Sequence, residues 1–467
     1  MRVLIICILA FLLFLILISI FPSTGLPSPY EKKKVEKLLE SSFSTRDCYG
    51  ETESTERAAL VDNSSQALSW RLNLIRSAKK EICYTTFDFR ADRSGTDVIS
   101  AFYDAAERGV KVRILIDGIN GFFRLAGNQK IRALAMSPNV EVREYNPVGP
   151  LTLWKMQFRM HDKYLIVDNM AYLLGGRNTN DLFLGDFSRL LNTDRELLVY
   201  ETVPSEDSSL AKLKRYFELV WNLPVSRPSY RWKPPVSARI GLRQNWQSLC
   251  TRHSEVLKSL DWKAKTLPVN RITILANPAN IFHKKPVLWY QLMHLMQAGK
   301  NPIVETPYLI CNRTMYRDIS SVKKQAGSLK IITNSIESGA NFIGCADYAV
   351  QHRKAWRTGA EVYELVSAHS SHTKTVLVDD RLSVVGTFNF DMRSTYLDTE
   401  LMLAVDSAAL ASQLRQTAKK ELEHCKTTVK GHTVQRGPAC PEIHLPYGRR
   451  FLYCLIGILH IPIRHLL

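Results

Sequence analysis

A chain of 467 residues is too long for one ordinary hydrophobic core, and at roughly 100 to 200 residues per domain it should divide into two or three units. Its 45% apolar and 23% charged residues exclude a disordered chain. With 62 Lys and Arg against 44 Asp and Glu, the formal charge of +18 points to anionic partners, phospholipid surfaces or nucleic acid, without choosing between them.

The chain opens MRVLIICILAFLLFLILISIF, in which residues 3–21 are 19 uncharged residues broken only by Ser19. That length crosses a bilayer core, so residues 1–24 are expected to form a single membrane span. A cleaved secretory signal is the rival; against it stand the length of the run and the lack of a small-x-small site in PSTGLPSPY. Arg2 before the run and Lys32 to Lys34 after it pull the positive-inside rule both ways, with a slight tilt towards a cytoplasmic body. Residues 25–60 follow as a juxtamembrane segment.

From residue 61 the pattern changes. SAKKEICYTTFDFR is a basic turn and a strand, DVISAFYDAAERGV has apolar residues at helical spacing and ends at Gly109, and KVRILIDG is a buried strand. These make a β-α-β unit. A further strand, NVEVREYNP, leads into RMHDKYLIVDNMAYLLGGRN, and residues 61–222 form a first lobe. The Pro- and Arg-rich NLPVSRPSYRWKPPVSAR begins a linker assigned to residues 223–270. Beyond it the order recurs, with LMQAGKNPIVETPYLI, a helical MYRDISSVKKQAG, the strand SLKIITNS, then GAEVYELVS and SSHTKTVLVDD. Residues 271–425 form the second lobe and 426–467 a tail. Each lobe is expected to be a mixed, mostly parallel sheet flanked by helices, the two related by a pseudo-two-fold axis.

The repeat carries chemistry. His161, Lys163 and Asp168 have the spacing of His372, Lys374 and Asp379, and each set is followed by a glycine turn with an asparagine, GGRN ending at Asn178 and GTFN ending at Asn389. On extended chain, residues i and i+2 share a face, so each His projects with its Lys. The aspartates stand at an odd offset of seven and point away; they are expected to hold the strand end. Two histidines and two lysines converging across a pseudo-two-fold axis suit a phosphodiester.

With both H-x-K-x-x-x-x-D motifs, the chain resembles the phospholipase D superfamily over about residues 60 to 425. RMHDKYLIVD, GGRN and GTFNFDMRSTYLDTE resemble the bacterial cardiolipin synthases, the C-type in particular. The resemblance implies a phosphohistidine path in which one imidazole attacks phosphorus while the other protonates the leaving alcohol and later deprotonates the acceptor. It favours His161 as nucleophile and His372 as acid and base. Lys163, Lys374, Asn178 and Asn389 would hold the non-bridging phosphate oxygens, with no metal and no cofactor. Each imidazole needs an orienting carboxylate: Glu400 in YLDTELMLAV for the second half, and Asp194 in LNTDRELLVY for the first, with Glu196 as the second choice. The bland alternative makes these surface acids at strand ends. His369 forms an H-x-x-H pair with His372 but has no third ligand in sight.

The resemblance also implies the partners: phosphatidylglycerol, with phosphatidylethanolamine as a further donor, at a bacterial inner membrane. Hydrolysis of phospholipid, cleavage of single-stranded nucleic acid and an idle lipid-binding scaffold remain the alternatives, although both motifs are intact. LTLWKMQFRM suits a lipid-facing entrance or core packing equally, and RRFLYCLIGILHIPIRHLL suits a membrane interface or a helix closing on the body. Nine cysteines without a C-x-x-C pair argue against zinc and leave disulfides and buried thiols both open.

Overall fold

The computed structural model describes residues 42–229, 235–252, 258–279, 284–429 and 433–467, with positions 6–11, 13, 14, 17 and 256 besides. The membrane span expected over residues 1–24 lies largely outside the described residues, as do residues 25–41 of the juxtamembrane segment, whose end enters the first sheet at Glu56–Val61; among the described residues no helix is long and apolar enough to cross a membrane.

The first lobe contains strands β1 (Glu56–Val61), β2 (Glu81–Thr86), β3 (Lys111–Asp117), β4 (Val140–Tyr145), β5 (Tyr164–Val167), β6 (Ala171–Gly175), β7 (Glu196–Glu201), β8 (Ser226–Pro228) and β9 (Leu267–Pro268). They lie in the order β8, β4, β3, β2, β5, β6, β7, β1, β9. Helix α1 (Arg93–Glu107) makes the crossover from β2 to β3; Asp92 caps its first turn through Gly95 N–H, and the chain leaves it at Gly109, whose φ of 90° suits a residue without Cβ. Residues 223–270, expected as a linker, supply edge strands β8 and β9. They also supply helix α2 (Val236–Arg252), whose Leu242, Trp246 and Leu249 enter the first lobe's core.

In the second lobe β10 (Arg271–Ala276), β11 (Ile303–Glu305), β13 (Lys330–Asn334), β14 (Glu361–Leu365), β15 (Thr375–Leu377), β16 (Leu382–Gly386), β18 (Leu401–Asp406), β19 (Cys425–Val429) and β20 (Thr433–Arg436) follow the same plan, while β12 (Leu309–Ile310) and β17 (Phe390–Asp391) pair separately. The order is β20, β19, β14, β13, β11, β15, β16, β18, β10, so β11, β13, β14, β15, β16, β18 and β10 stand for β2, β3, β4, β5, β6, β7 and β1. Helix α3 (Arg313–Ala326) matches α1, with Asn312 as cap and Gly327 at φ 74° beyond its end.

One expectation needs correction. The two nine-stranded sheets are mixed but mostly antiparallel: within them only β2, β3, β4 and β11, β13, β14 run parallel, beside the small separate parallel pair β12–β17. Parallel neighbours require a long crossover, whereas the motif strands β5 and β15 turn back through short hairpins into β6 and β16.

Period-two alternation divides the apolar residues between two cores. Ile82, Tyr84, Leu165 and Val167 face the first lobe's outer core; Cys83, Tyr164 and Ile166 face a second core that continues into the second lobe through Val304, Val376 and Leu403. The lobes are thus fused through shared apolar packing. A buried Arg195 adds to this, donating to Asp62 (2.8 Å), to Thr375 (2.7 Å) and to Glu305 across the junction. All nine cysteines are free thiols.

Candidate active site

Each histidine stands on the extended segment just before its motif strand rather than within the strand, and each segment is tied to the opposite lobe. His161 N–H donates to Thr399 O (3.2 Å), and His372 N–H donates to Thr193 O (2.7 Å). Thr399 and Thr193 immediately precede Glu400 and Asp194. The two acids are therefore exchanged between halves: His161 Nδ1 lies 2.8 Å from Glu400 Oε1, and His372 Nδ1 lies 2.6 Å from Asp194 Oδ2. Both acids are buried, which rules out surface acids, and Glu196 pairs instead with Arg71 and Arg177.

The residue before each histidine is caught by the end of the second parallel strand of its own lobe. Asp117, last in β3, accepts Met160 N–H (3.1 Å) and pairs with Arg159; Asn334, last in β13, accepts Ser371 N–H (2.9 Å) and donates to Ser371 O (2.7 Å). Aligning RILIDG with KIITNS sets these two polar strand ends opposite each other, which is the signal that could have found them.

Lys163 folds back to donate to His161 O (2.7 Å), and Lys374 donates to His372 O. Lys374 Nζ also lies 2.7 Å from His372 Nδ1; with that nitrogen keeping its hydrogen and donating it in a hydrogen bond to Asp194, it cannot accept from the ammonium, and the lysine contact is electrostatic only. Buried Asn178 accepts Asp88 N–H at Oδ1 (3.2 Å), so its amide NH2 is the donor end. Asn389, also buried, gives its N–H to Ser394 Oγ (3.2 Å). Phenylalanine rings brace both imidazoles edge-on, Phe87 at 5.1 Å from His161 and Phe183 at 5.0 Å from His372.

The motif aspartates lie at the far ends of β5 and β15 and serve as turn anchors. Asp168, at φ 52°, accepts the N–H groups of Lys79, Lys80 and Glu81, each at 2.9 Å. Asp379 accepts those of Arg381 and Leu382, each at 2.7 Å, and the Tyr49 hydroxyl. Phe158 and Arg159, weighed as a lipid entrance, are buried in packing. Among the described residues no cluster of three or more His, Cys, Asp or Glu is arranged to hold a metal ion, His369 included.

Burial dominates the electrostatics. Together with Lys163, Lys374 and His372 it drives the His161 imidazole well below 6.5, and with Lys374 it takes His372 down to about 4 against the pull of Asp194. Burial lowers Lys163 to about 8 and Lys374 to about 7. The carboxyls diverge. Burial pushes Glu400 well above its ordinary range, whereas for Asp194 the opposing charges of Lys374 and His372 outweigh burial and hold it low.

Comparison with known proteins fits this geometry. The family described as "Cardiolipin synthase, PLD-like domain" matches residues 72–221 and 292–422, more than half of the chain and most of both lobes. An uncharacterized protein of Helicobacter pylori (strain J99 / ATCC 700824) is 28% identical over 404 residues, 78% of each chain. Cardiolipin synthase C of Escherichia coli (strain K12) is 25% identical over 390 residues, covering 75% of this chain and 81% of its own length. Phosphatidylserine synthase from Haemophilus influenzae Rd KW20 superposes with a TM-score of 0.63 at 15% identity, over 92% of this chain and 98% of that one, and so shares the fold. With two H-x-K half-sites backed by exchanged acids, the chain belongs to the cardiolipin synthase, PLD-like family of the phospholipase D superfamily and is a phospholipase D-type phosphatidyltransferase.

Proposed function

We propose that the protein is a cardiolipin synthase, anchored by its N-terminal apolar run, that moves a phosphatidyl group onto the terminal glycerol hydroxyl of phosphatidylglycerol. The observation carrying this reading is the exchanged pair of histidine–carboxylate contacts, which lets two rings from two lobes address one phosphorus. His161, with Nδ1 turned to Glu400 and its imidazole kept neutral, attacks phosphorus through Nε2. The phosphorus–oxygen bond to the head-group alcohol breaks, and His372, whose imidazolium form the ionised Asp194 favours, gives its proton to the departing oxygen. The acceptor hydroxyl then loses its proton to His372 and displaces His161, restoring both rings. An anionic phosphodiester supplies the negative charge that raises the His372 pKa on binding. Lys163, Lys374, Asn178 and Asn389 hold the non-bridging oxygens as charge grows on them.

The test is direct. Purified protein in detergent is given phosphatidylglycerol alone, then with phosphatidylethanolamine, beside a labelled single-stranded oligonucleotide, and the products are read by mass spectrometry. Cardiolipin with released glycerol is expected, and ethanolamine if phosphatidylethanolamine is also a donor. Phosphatidic acid as the sole product would make the enzyme a hydrolase, and a shortened oligonucleotide would move it to the nuclease branch. EDTA should leave the rate unchanged; strong inhibition restored by one metal contradicts the mechanism.

A further inference from the structure

The carboxy-terminal segment is built into the body on one face only. Helix α4 (Phe342–Trp356), which follows β13, receives helix α5 (Tyr447–Leu459) along its side. Tyr453 is fully buried with its ring 4.9 Å from Phe342, and Gly457 sits so close that a Cβ there would come within 2.3 Å of Ala346 O. Below the helix, buried Asp347 receives Arg464 Nη2 (3.0 Å) and His460 Nε2 (3.1 Å). The chain then reaches the active site, where Arg393 gives its Nε–H to Leu466 O (2.9 Å) and its backbone N–H to Leu467 O (2.8 Å). The same guanidinium grips Gln157, four residues before His161. The tail is thus tied to the loop that carries one catalytic ring.

The opposite face of α5 and the turn after it has no polar character. Phe451, Leu455, Ile458, Leu459, Ile461 and Ile463 are each 40% to 69% exposed. They continue into exposed Phe342 and Ile343 on α4, and exposed Arg449 and Arg450 stand at one end. A surface helix packed on a soluble body turns charged or polar residues to water; an apolar face of this extent marks an interaction surface.

We propose that this face inserts into the surface of an anionic phospholipid bilayer, with Arg449 and Arg450 on lipid phosphates, and seats the catalytic cleft on the membrane. The occupant follows from charge: two copies of a +18 chain repel, whereas an anionic bilayer complements both the arginines and the net charge. The inference rests on the phosphatidyl-transfer reading, since docking brings the phosphodiester of a membrane lipid to the rings.

Full-length protein is reconstituted in phosphatidylglycerol/phosphatidylethanolamine vesicles with a photoreactive residue in place of Leu459, and illuminated. A lipid adduct on the tail peptide is expected. A chain-to-chain cross-link assigns the face to a second copy and overturns the proposal, as does a photoproduct with water alone. In parallel, the double variant Ile458→Ser/Leu459→Ser should lose about tenfold of its turnover on vesicle lipid through weaker insertion, with turnover of a soluble aryl phosphodiester kept within about twofold. Equal losses on both substrates would show a folding role, and no loss on vesicles would show that the face is idle; either overturns docking. Wild type that labels with lipid yet turns over neither substrate would instead sink the phosphatidyl-transfer reading and leave docking standing.

Discussion

The two half-sites present the same His, Lys and Asn at the same spacings and differ in what surrounds the acid behind each ring. Around Asp194, the turn places Gly176, where a Cβ would come 2.2 Å from Asp194 Oδ1, and buried Arg177, which donates to Asp194 O and adds positive charge. At the matching positions of the second lobe stand Thr387, whose hydroxyl donates to Glu400, and Phe388, packed 6.4 Å from Trp289. Burial raises both acids, but Lys374 and His372, with Arg177 adding to them, hold Asp194 low, whereas Glu400 stays well above its ordinary range despite Lys163 and Thr387. The two half-sites are thus chemically unequal although their His, Lys and Asn are the same. The inequality suits the proposed division of labour, because Asp194, held low, stabilises an imidazolium on His372, and Glu400, pushed towards its neutral form, favours an imidazolium on His161 less.

The comparison breaks most visibly at those acids. Asp194→Asn removes the charge behind His372, the ring proposed as acid and base, and kcat should fall by about 10²-fold or more; Glu400→Gln replaces a group already pushed towards its neutral form and should cost less than about tenfold. Steady-state rates on phosphatidylglycerol decide it, and equal losses would erase the asymmetry.

A smaller effect lies in the pH profile. Lowered lysine pKa values mean that the ammonium charge is lost as pH rises through about 7 for Lys374 and about 8 for Lys163, so kcat/KM for an anionic diester should decline above neutrality. Burial with Lys163 and Lys374 holds the His161 imidazole well below its ordinary value, so protonation of that ring should limit the rate only on the acid side of the profile. Lys374→Arg, which keeps its charge, should extend the plateau to higher pH. An unmoved alkaline limb would show that another group titrates there.

Smallest is the support behind each segment. Asn334→Ala strips Ser371 of two hydrogen bonds and should cost about 1–3 kcal/mol of stability, read by denaturant unfolding. Asp117→Ala should cost more, because Arg159 is left buried without its carboxylate.

The repeat made the half-sites legible in the sequence. Two copies of H-x-K with a following Asn named His161, Lys163, His372 and Lys374, and the odd offset of Asp168 and Asp379 told that their side chains leave the site. Composition and helical spacing likewise found α1 and α3 with the strands on either side. Periodicity along a chain tells which residues share a face, but not which lobe's acid meets which ring: Glu400 lies 239 residues from His161 and Asp194 lies 178 from His372, and only the packing of the lobes sets those contacts. The same limit hid the fused core and the Arg195 junction. Strand direction was misjudged because the β-α-β units dominate the pattern, while the short hairpins at Asp168 and Asp379 that reverse the chain read only as turns.

The most direct test of the account is to quench the enzyme during turnover of phosphatidylglycerol under conditions that preserve phosphoramidates, and to map the phosphatidyl-histidine adduct by mass spectrometry. The adduct is predicted on the peptide carrying His161, and His161→Ala should yield a folded protein without adduct or turnover. An adduct on His372, or turnover that survives loss of the His161 ring, would contradict it.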